Sequence, residues 1–175
     1  MNYYKELSCD NYEEINQEIL TYVLTVIDTN NVNHFWNPVP ALEFVKNTPL
    51  FQTWLTQQHL KIKALALTVG THPHCCGPHV DTPPAVYKLS WPIQHAETTW
   101  NRWFQELVDC CDVETNHLGG RQYNNMNQLE EIDRKQVEHP MLIYAGIPHD
   151  VWFEEGSKFP RLGLQCQLIK EPEQL

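Results

Sequence analysis

The chain has 175 residues, 42% of them hydrophobic and 19% charged, enough for one domain with its own core and too few for two of ordinary size. Lysines and arginines number 12 against 22 aspartates and glutamates, a formal charge of −10, and with no basic stripe to offset it a nucleic-acid partner is not expected. No apolar run reaches the length of a membrane span, and Met1-Asn2-Tyr3-Tyr4-Lys5-Glu6 lacks the apolar centre of a signal peptide, so the expectation is a soluble, cytoplasmic protein with no membrane partner.

In chain order, Asn11 followed by Glu14 has the pattern of a helix cap with its acidic partner, and Ile15, Ile19, Tyr22, Val23 and Val26 recur at helical spacing, which predicts a helix over about 12–28. Asn30, Asn31 and Asn33 break it, and Asn37-Pro38-Val39-Pro40 leads into a short helical stretch around Ala41 to Val45. Thr48-Pro49 then has the form of an N-cap with proline at the first helical position, and Leu50, Phe51, Trp54 and Leu55 make one apolar face. Residues 1–59 are therefore read as a mainly helical flank.

From Lys61 the texture changes. Ile62, Ala64 and Ala66 alternate with Lys63, Leu65 and Leu67 up to Gly70, as in a strand buried on both faces. Short strands are predicted around His79 to Asp81, Ala85 to Ile93, Thr98 to Phe104, Met141 to Ala145, His149 to Phe153 and Leu162 to Ile169. Between about 105 and 139 lies a polar stretch, expected to be an excursion over the surface or a lid. Helices first and many short strands afterwards argue an α+β, mainly β, single domain in which helices flank a sandwich or small barrel.

The segment richest in reactive side chains is Thr71-His72-Pro73-His74-Cys75-Cys76-Gly77-Pro78-His79-Val80-Asp81. On a strand, His79 and Asp81 fall on one face, where an imidazole and a carboxylate can bind one metal. His149, at the start of a strand-like run after Gly146-Ile147-Pro148, is the best third ligand. Two histidines and a carboxylate on one side of a metal leave its other positions open, the requirement of a catalytic non-haem Fe(II) centre. Arg161 follows His149 by twelve residues, with turn material centred near Glu155 between them. An antiparallel hairpin about that point would bring the two side chains together across a ladder. In the strand that Arg161 opens, Leu162, Leu164, Cys166 and Leu168 separate from Arg161, Gly163, Gln165 and Gln167, so one face is core. On the other, the residue without a side chain at 163 leaves room beside the guanidinium for a small carboxylate.

Gly77-Pro78-His79-Val80-Asp81, Val86 to Ile93, Pro140 to Val151 and Pro160-Arg161-Leu162-Gly163-Leu164 resemble the successive core motifs of the Fe(II)/2-oxoglutarate-dependent oxygenases. Within that superfamily the chain is most similar to small proteins related to the aspartyl/asparaginyl β-hydroxylases, over roughly residues 60–170. The resemblance implies a double-stranded β-helix, the cupin-like jelly roll, with the N-terminal helices packed outside. It implies that His79, Asp81 and His149 ligate Fe(II) and that Arg161 holds the distal carboxylate of 2-oxoglutarate. It further implies that dioxygen is consumed and that an amino-acid residue or small amino-acid-like molecule, free or in a peptide, is hydroxylated. The family often carries Ser or Thr two residues after this arginine, where the present chain has Gly163. That departure removes one hydrogen bond to the co-substrate, about 1 kcal/mol net.

Other readings attach to the same residues. His72, His74, Cys75, Cys76 and His79 offer donors suited to zinc, although adjacent cysteines reach one tetrahedral ion poorly. A cupin-like metal-binding protein that never uses 2-oxoglutarate would not need Arg161 in its cavity, and a non-catalytic binding module would keep the architecture without turnover. His139 is a spare candidate for the distal ligand. Tyr87, Trp91, Trp100, Trp103 and Trp152 are candidates for a pocket lining, with core packing the stronger expectation. Four of the six cysteines fall in the adjacent pairs Cys75-Cys76 and Cys110-Cys111, a pattern that suits free thiols better than a disulfide framework.

Overall fold

Alternation along the last strand sets the plan of the molecule. Leu162, Leu164 and Cys166 are buried in one cluster with apolar residues of the N-terminal helices, while Arg161, Gly163 and Gln165 are buried on the opposite side of the same strand. In the computed structural model, which describes residues 2–26, 36–73, 77–81, 87–107, 113–116 and 119–169, two such sheets form and every strand pairing is antiparallel. The first contains β1 (Tyr4–Glu6), β2 (Asn37–Val39), β3 (Ile62–Gly70), β5 (Tyr87–Gln94), β10 (Met141–Tyr144) and β12 (Arg161–Leu168), in the order β1-β10-β5-β12-β3-β2. The second contains β4 (His79–Val80), β6 (Thr99–Glu106), β7 (Val113–Thr115), β8 (Arg121–Tyr123), β9 (Leu129–Gln136) and β11 (His149–Phe153), in the order β7-β8-β4-β11-β6-β9. From β3 to β6 and again from β9 to β12, each strand lies in the other sheet from the one before it.

Three helices cover the outer face of the first sheet: α1 (Tyr12–Val26), α2 (Ala41–Asn47) and α3 (Pro49–Gln57). Their apolar stripes, Ile15, Ile19 and Val23 from α1 and Phe51, Trp54 and Leu55 from α3, join Leu65, Leu67, Val69, Leu89, Trp91 and Ile93 in the main core. Polar contacts fix α1 on β5: Tyr12 Oη donates to the Pro92 carbonyl at 2.7 Å, Asn16 Nδ2 to the Ile93 carbonyl at 2.8 Å, and Trp91 Nε1 donates back to Asn16 Oδ1 at 3.2 Å. The predicted cap at Thr48 is made differently. Thr48 also closes α2, and its hydroxyl donates to the Phe44 carbonyl at 2.9 Å. The open amides at the start of α3, those of Leu50 and Phe51, instead donate to the Glu18 carboxylate of α1, each at 3.1 Å, a capping charge brought from another helix.

The inner faces meet across contacts such as Asn101 Nδ2 to Met141 Sδ at 3.9 Å and Trp103 Nε1 to the Tyr144 carbonyl at 2.8 Å. Two expectations change. The polar 105–139 stretch is not one surface excursion, since β7, β8 and β9 lie within it and build both edges of the second sheet. Composition explains the misreading: β9 is an edge strand whose charged residues, Glu130, Glu131, Asp133, Arg134 and Lys135, fall on both faces, a pattern that resembles a loop. The β11–β12 hairpin does not form either. β11 pairs with β4 and β6, β12 pairs with β3 and β5, and the turn between them crosses from one sheet to the other. No helix among the described residues is long and apolar enough to cross a membrane.

Candidate metal centre

The pairing of β4 with β11 sets His79 directly opposite His149. Opposed residues of an antiparallel pair project to the same face, and the two imidazole centroids are 4.5 Å apart. Asp81 follows just beyond the end of β4, where its amide donates to the Ala145 carbonyl at 3.1 Å and anchors the chain beside the loop that leads into β11. One ligand atom from each of His79, Asp81 and His149 lies within 4.8 Å of the others. The three residues chosen from sequence are therefore together, although they come from distant parts of the chain.

Backbone carbonyls orient both rings. Nδ1 of His79 lies 3.0 Å from the Gly77 carbonyl and Nδ1 of His149 lies 2.9 Å from the Ile147 carbonyl. A carbonyl only accepts, so each Nδ1 donates, the orientation a histidine takes when its other ring nitrogen faces a metal. The Nε2 atoms face the carboxylate, at 4.0 Å from Oδ1 for His79 and 3.7 Å from Oδ2 for His149. Burial, with the neighbouring His79, pushes His149 down to about 3, so its ring is neutral at ordinary pH. Burial works against ionisation of Asp81, yet His149, Lys88 and His79 together outweigh it and hold the carboxyl below its usual range. A neutral imidazole and an ionised carboxylate are the forms that bind metal.

Lys88 was not among the residues chosen from sequence. It projects from β5, across from the triad, and its ammonium ion-pairs with Asp81 Oδ2. The indole of Trp36 lies 5.2 Å from that ammonium. A lysine inside the mostly apolar run Val86-Tyr87-Lys88-Leu89-Ser90-Trp91 was the available signal, because alternation sends Lys88 and Ser90 to the face opposite Leu89 and Trp91. No signal in the sequence pointed to Trp36.

Arg161 opens the inner face of β12 and is buried. The space expected beside it is filled by its own side chain. A Cβ added at Gly163 would fall 3.0 Å from Arg161 Nη1, 3.2 Å from Cζ and 3.2 Å from Thr68 Oγ1. Gly163 is thus the floor on which the guanidinium lies. Thr68, its register partner on β3, accepts from Arg161 Nη1 at 3.2 Å and donates to the Gly163 carbonyl at 2.9 Å. Thr68 thus places a hydroxyl beside the guanidinium from the adjacent strand. Farther along this face, Gln165 Nε2 donates to Ser90 Oγ at 3.0 Å, and Gln165 Oε1 is buried with no donor among the described residues.

The remaining candidates lie elsewhere. His139 packs edge-on against Tyr12, at 5.8 Å between centroids, beside the helices. Trp91 and Trp103 are core residues. Trp100 and Trp152 alternate with the inner positions of β6 and β11, Trp100 bonded to Glu154 Oε1 at 2.7 Å and Trp152 beside Arg102. Tyr87 packs on Tyr144 at 5.1 Å. On this outward side Asp150 takes two hydrogen bonds from Arg102, at 2.9 and 2.5 Å, which fixes β11 on β6 next to His149. Of the residues considered for zinc, His74, Cys75 and Cys76 lie outside the described residues, and His79 faces Asp81 and His149. Cys9 and Cys166 are free thiols, while Cys110 and Cys111 also lie outside the described residues. No protein-family model and no curated protein matches this sequence.

Proposed function

We propose that the chain is a jelly-roll oxygenase dependent on Fe(II) and 2-oxoglutarate, hydroxylating an amino-acid residue or a small amino-acid-like substrate. The observation that carries the reading is the convergence of two carbonyl-oriented imidazoles with one carboxylate on the inner face of the second sheet, across from the first sheet whose inner face buries Arg161. Two histidines and a carboxylate suit a divalent iron with open positions, whereas a closed structural zinc site would enlist a fourth protein donor. The jelly roll is supported by the way β3 to β6 and β9 to β12 alternate between two antiparallel sheets.

In this reading His79, Asp81 and His149 hold the metal. Bound there, iron with 2-oxoglutarate would supply the oxidising power by which dioxygen, the co-substrate and a substrate C–H bond become succinate, carbon dioxide and a C–OH group. The chain's own part is placement. Arg161 pairs the distal carboxylate of the co-substrate with a planar, permanently charged fork. Thr68 keeps that fork turned along the sheet, Gly163 leaves it room, and Ser90 with Gln165 lines the face between the arginine and Lys88. The Ile147 and Gly77 carbonyls hold the imidazole tautomers. The substrate class rests on the resemblance of the motif segments.

The test is an anaerobic titration of metal-free protein with Fe(II) and then 2-oxoglutarate, observed for the visible charge-transfer band of the chelate. The band is expected only with both present, and it is expected to vanish in His149→Ala. Arg161→Ala should bind iron normally and require far more 2-oxoglutarate. Iron uptake with no band would support the cupin-like alternative instead, and absence of iron uptake would refute the metal centre.

A further inference from the structure

The closest cation to the triad is part of the protein. Lys88 reaches from the first sheet to Asp81 of the second, its side chain is 8% exposed, and the Asp81 side chain is 14% exposed. The ammonium and the carboxylate balance each other where both side chains are largely buried. The pairing also shapes the ligand set. Two donors bound at right angles to one ion sit about 3.0 Å apart, whereas the Asp81 oxygens stand 4.0 and 3.7 Å from the histidine Nε2 atoms. The oxygen nearer His149 is the one that Lys88 holds, so an ion bound through it competes with the ammonium.

A divalent ion entering this site adds two positive charges to one that Lys88 has already neutralised. Uncompensated charge at such burial is unfavourable. Lys88 is tethered to β5 and cannot leave, so the surplus is relieved only when an anionic oxygen enters on the open side of the ion, within reach of the released ammonium. We infer that Lys88 couples metal uptake to carboxylate uptake: it holds Asp81 while the site is metal-free and transfers its ion pair to a carboxylate that enters with the metal. This rests on the triad being a metal centre. The ligand class is a carboxylate, and a dicarboxylate is favoured over a monocarboxylate, because Arg161 offers a second buried cation on the same inner face of the sheet.

The experiment is calorimetric titration of metal-free protein with Co(II), alone and with saturating 2-oxoglutarate or with acetate, which carries a single carboxylate. The wild-type protein should bind Co(II) weakly alone and at least about tenfold more tightly with 2-oxoglutarate, a coupling of ordinary allosteric size, with a smaller gain from acetate. Lys88→Met should bind Co(II) alone at least about tenfold more tightly than wild type and gain little from either carboxylate. Lys88→Arg, which keeps the charge, should retain the coupling. Thermal melting tests whether Lys88→Met is folded: a cooperative transition is expected, with its metal-free form melting below wild type and Co(II) raising its melting point by more. If Lys88→Met binds Co(II) no more tightly and keeps the carboxylate coupling, Lys88 is a structural ion-pair partner and the inference is wrong. If neither wild type nor Lys88→Met takes up Co(II), the metal centre itself is refuted.

Discussion

The two faces of the first sheet are built from alternate residues of the same strands, yet they follow opposite rules. Outward, Leu162, Leu164 and Cys166 of β12 and Leu89, Trp91 and Ile93 of β5 close against three helices with no charged group among them. Inward, the same strands bury Arg161, Gln165, Lys88 and Ser90, with Thr68 beside them on β3. Burying polar groups is costly unless each is paired, and here the pairing is local: arginine to threonine, glutamine to serine, lysine to aspartate. The outer face is the stabilising one. The inner face gives up some of that stability to keep charged and hydrogen-bonding groups dry and directed, as a binding surface requires.

This contrast can be tested in order of effect. Trp91→Ala removes a fully buried ring of the outer face and should cost about 3–5 kcal/mol in urea unfolding. A loss well under 2 kcal/mol would mean that the helices are not held by this face. The second test is acidification of the metal-free protein. His149 has a folded-state value of about 3, below its ordinary 6.5, so the unfolded chain takes the proton first. Its stabilising contribution is complete above pH 6.5 and is lost as the pH falls, by up to about 1.4 kcal/mol per pH unit. Urea midpoints at pH 7, 6 and 5 should fall in wild type and fall less in His149→Gln.

Smaller effects separate the inner residues. Gly163→Ala places a methyl 3.0 Å from Arg161 Nη1, which should displace the guanidinium and weaken 2-oxoglutarate about tenfold, near 1.4 kcal/mol, with little change in the melting temperature. Equal affinity in both proteins would separate Arg161 from the co-substrate. Thr68→Val keeps the shape and deletes the hydroxyl, which should cost about 1 kcal/mol of stability and a several-fold loss of 2-oxoglutarate affinity. The smallest change in stability is expected for Gln165→Leu, within about 1 kcal/mol, since it removes a buried acceptor that has no donor among the described residues. A large loss there would make the inner face ordinary core.

Much of this organisation was legible in the sequence because it is periodic. The parity of Arg161 to Leu168 separated the core side from the polar side, and the apolar spacing of α1 and α3 gave helices that the structure contains at Tyr12–Val26 and Pro49–Gln57. His79, Asp81 and His149 were selected by donor type and spacing, and they do converge. The strands β7, β8 and β9 were missed because short, charged edge strands carry too little apolar pattern to distinguish them from loops. Lys88 and Thr68 were passed over because nothing local shows that a lysine or threonine inside an apolar run faces an aspartate or an arginine brought from elsewhere.

The sequence by itself determined which residues share a strand face, since side-chain direction alternates with a period fixed by backbone geometry alone. It also supplied the chemical types of the ligand set. Only the tertiary structure decided which faces meet. The link from His149 to Arg161 looked like a hairpin in one sheet and is a crossing between two, because the choice of partner strand depends on the summed burial of the whole inner and outer faces and not on the turn that joins two neighbours. The same long-range choice placed the Lys88 ammonium on Asp81 and the Thr68 hydroxyl beside Arg161.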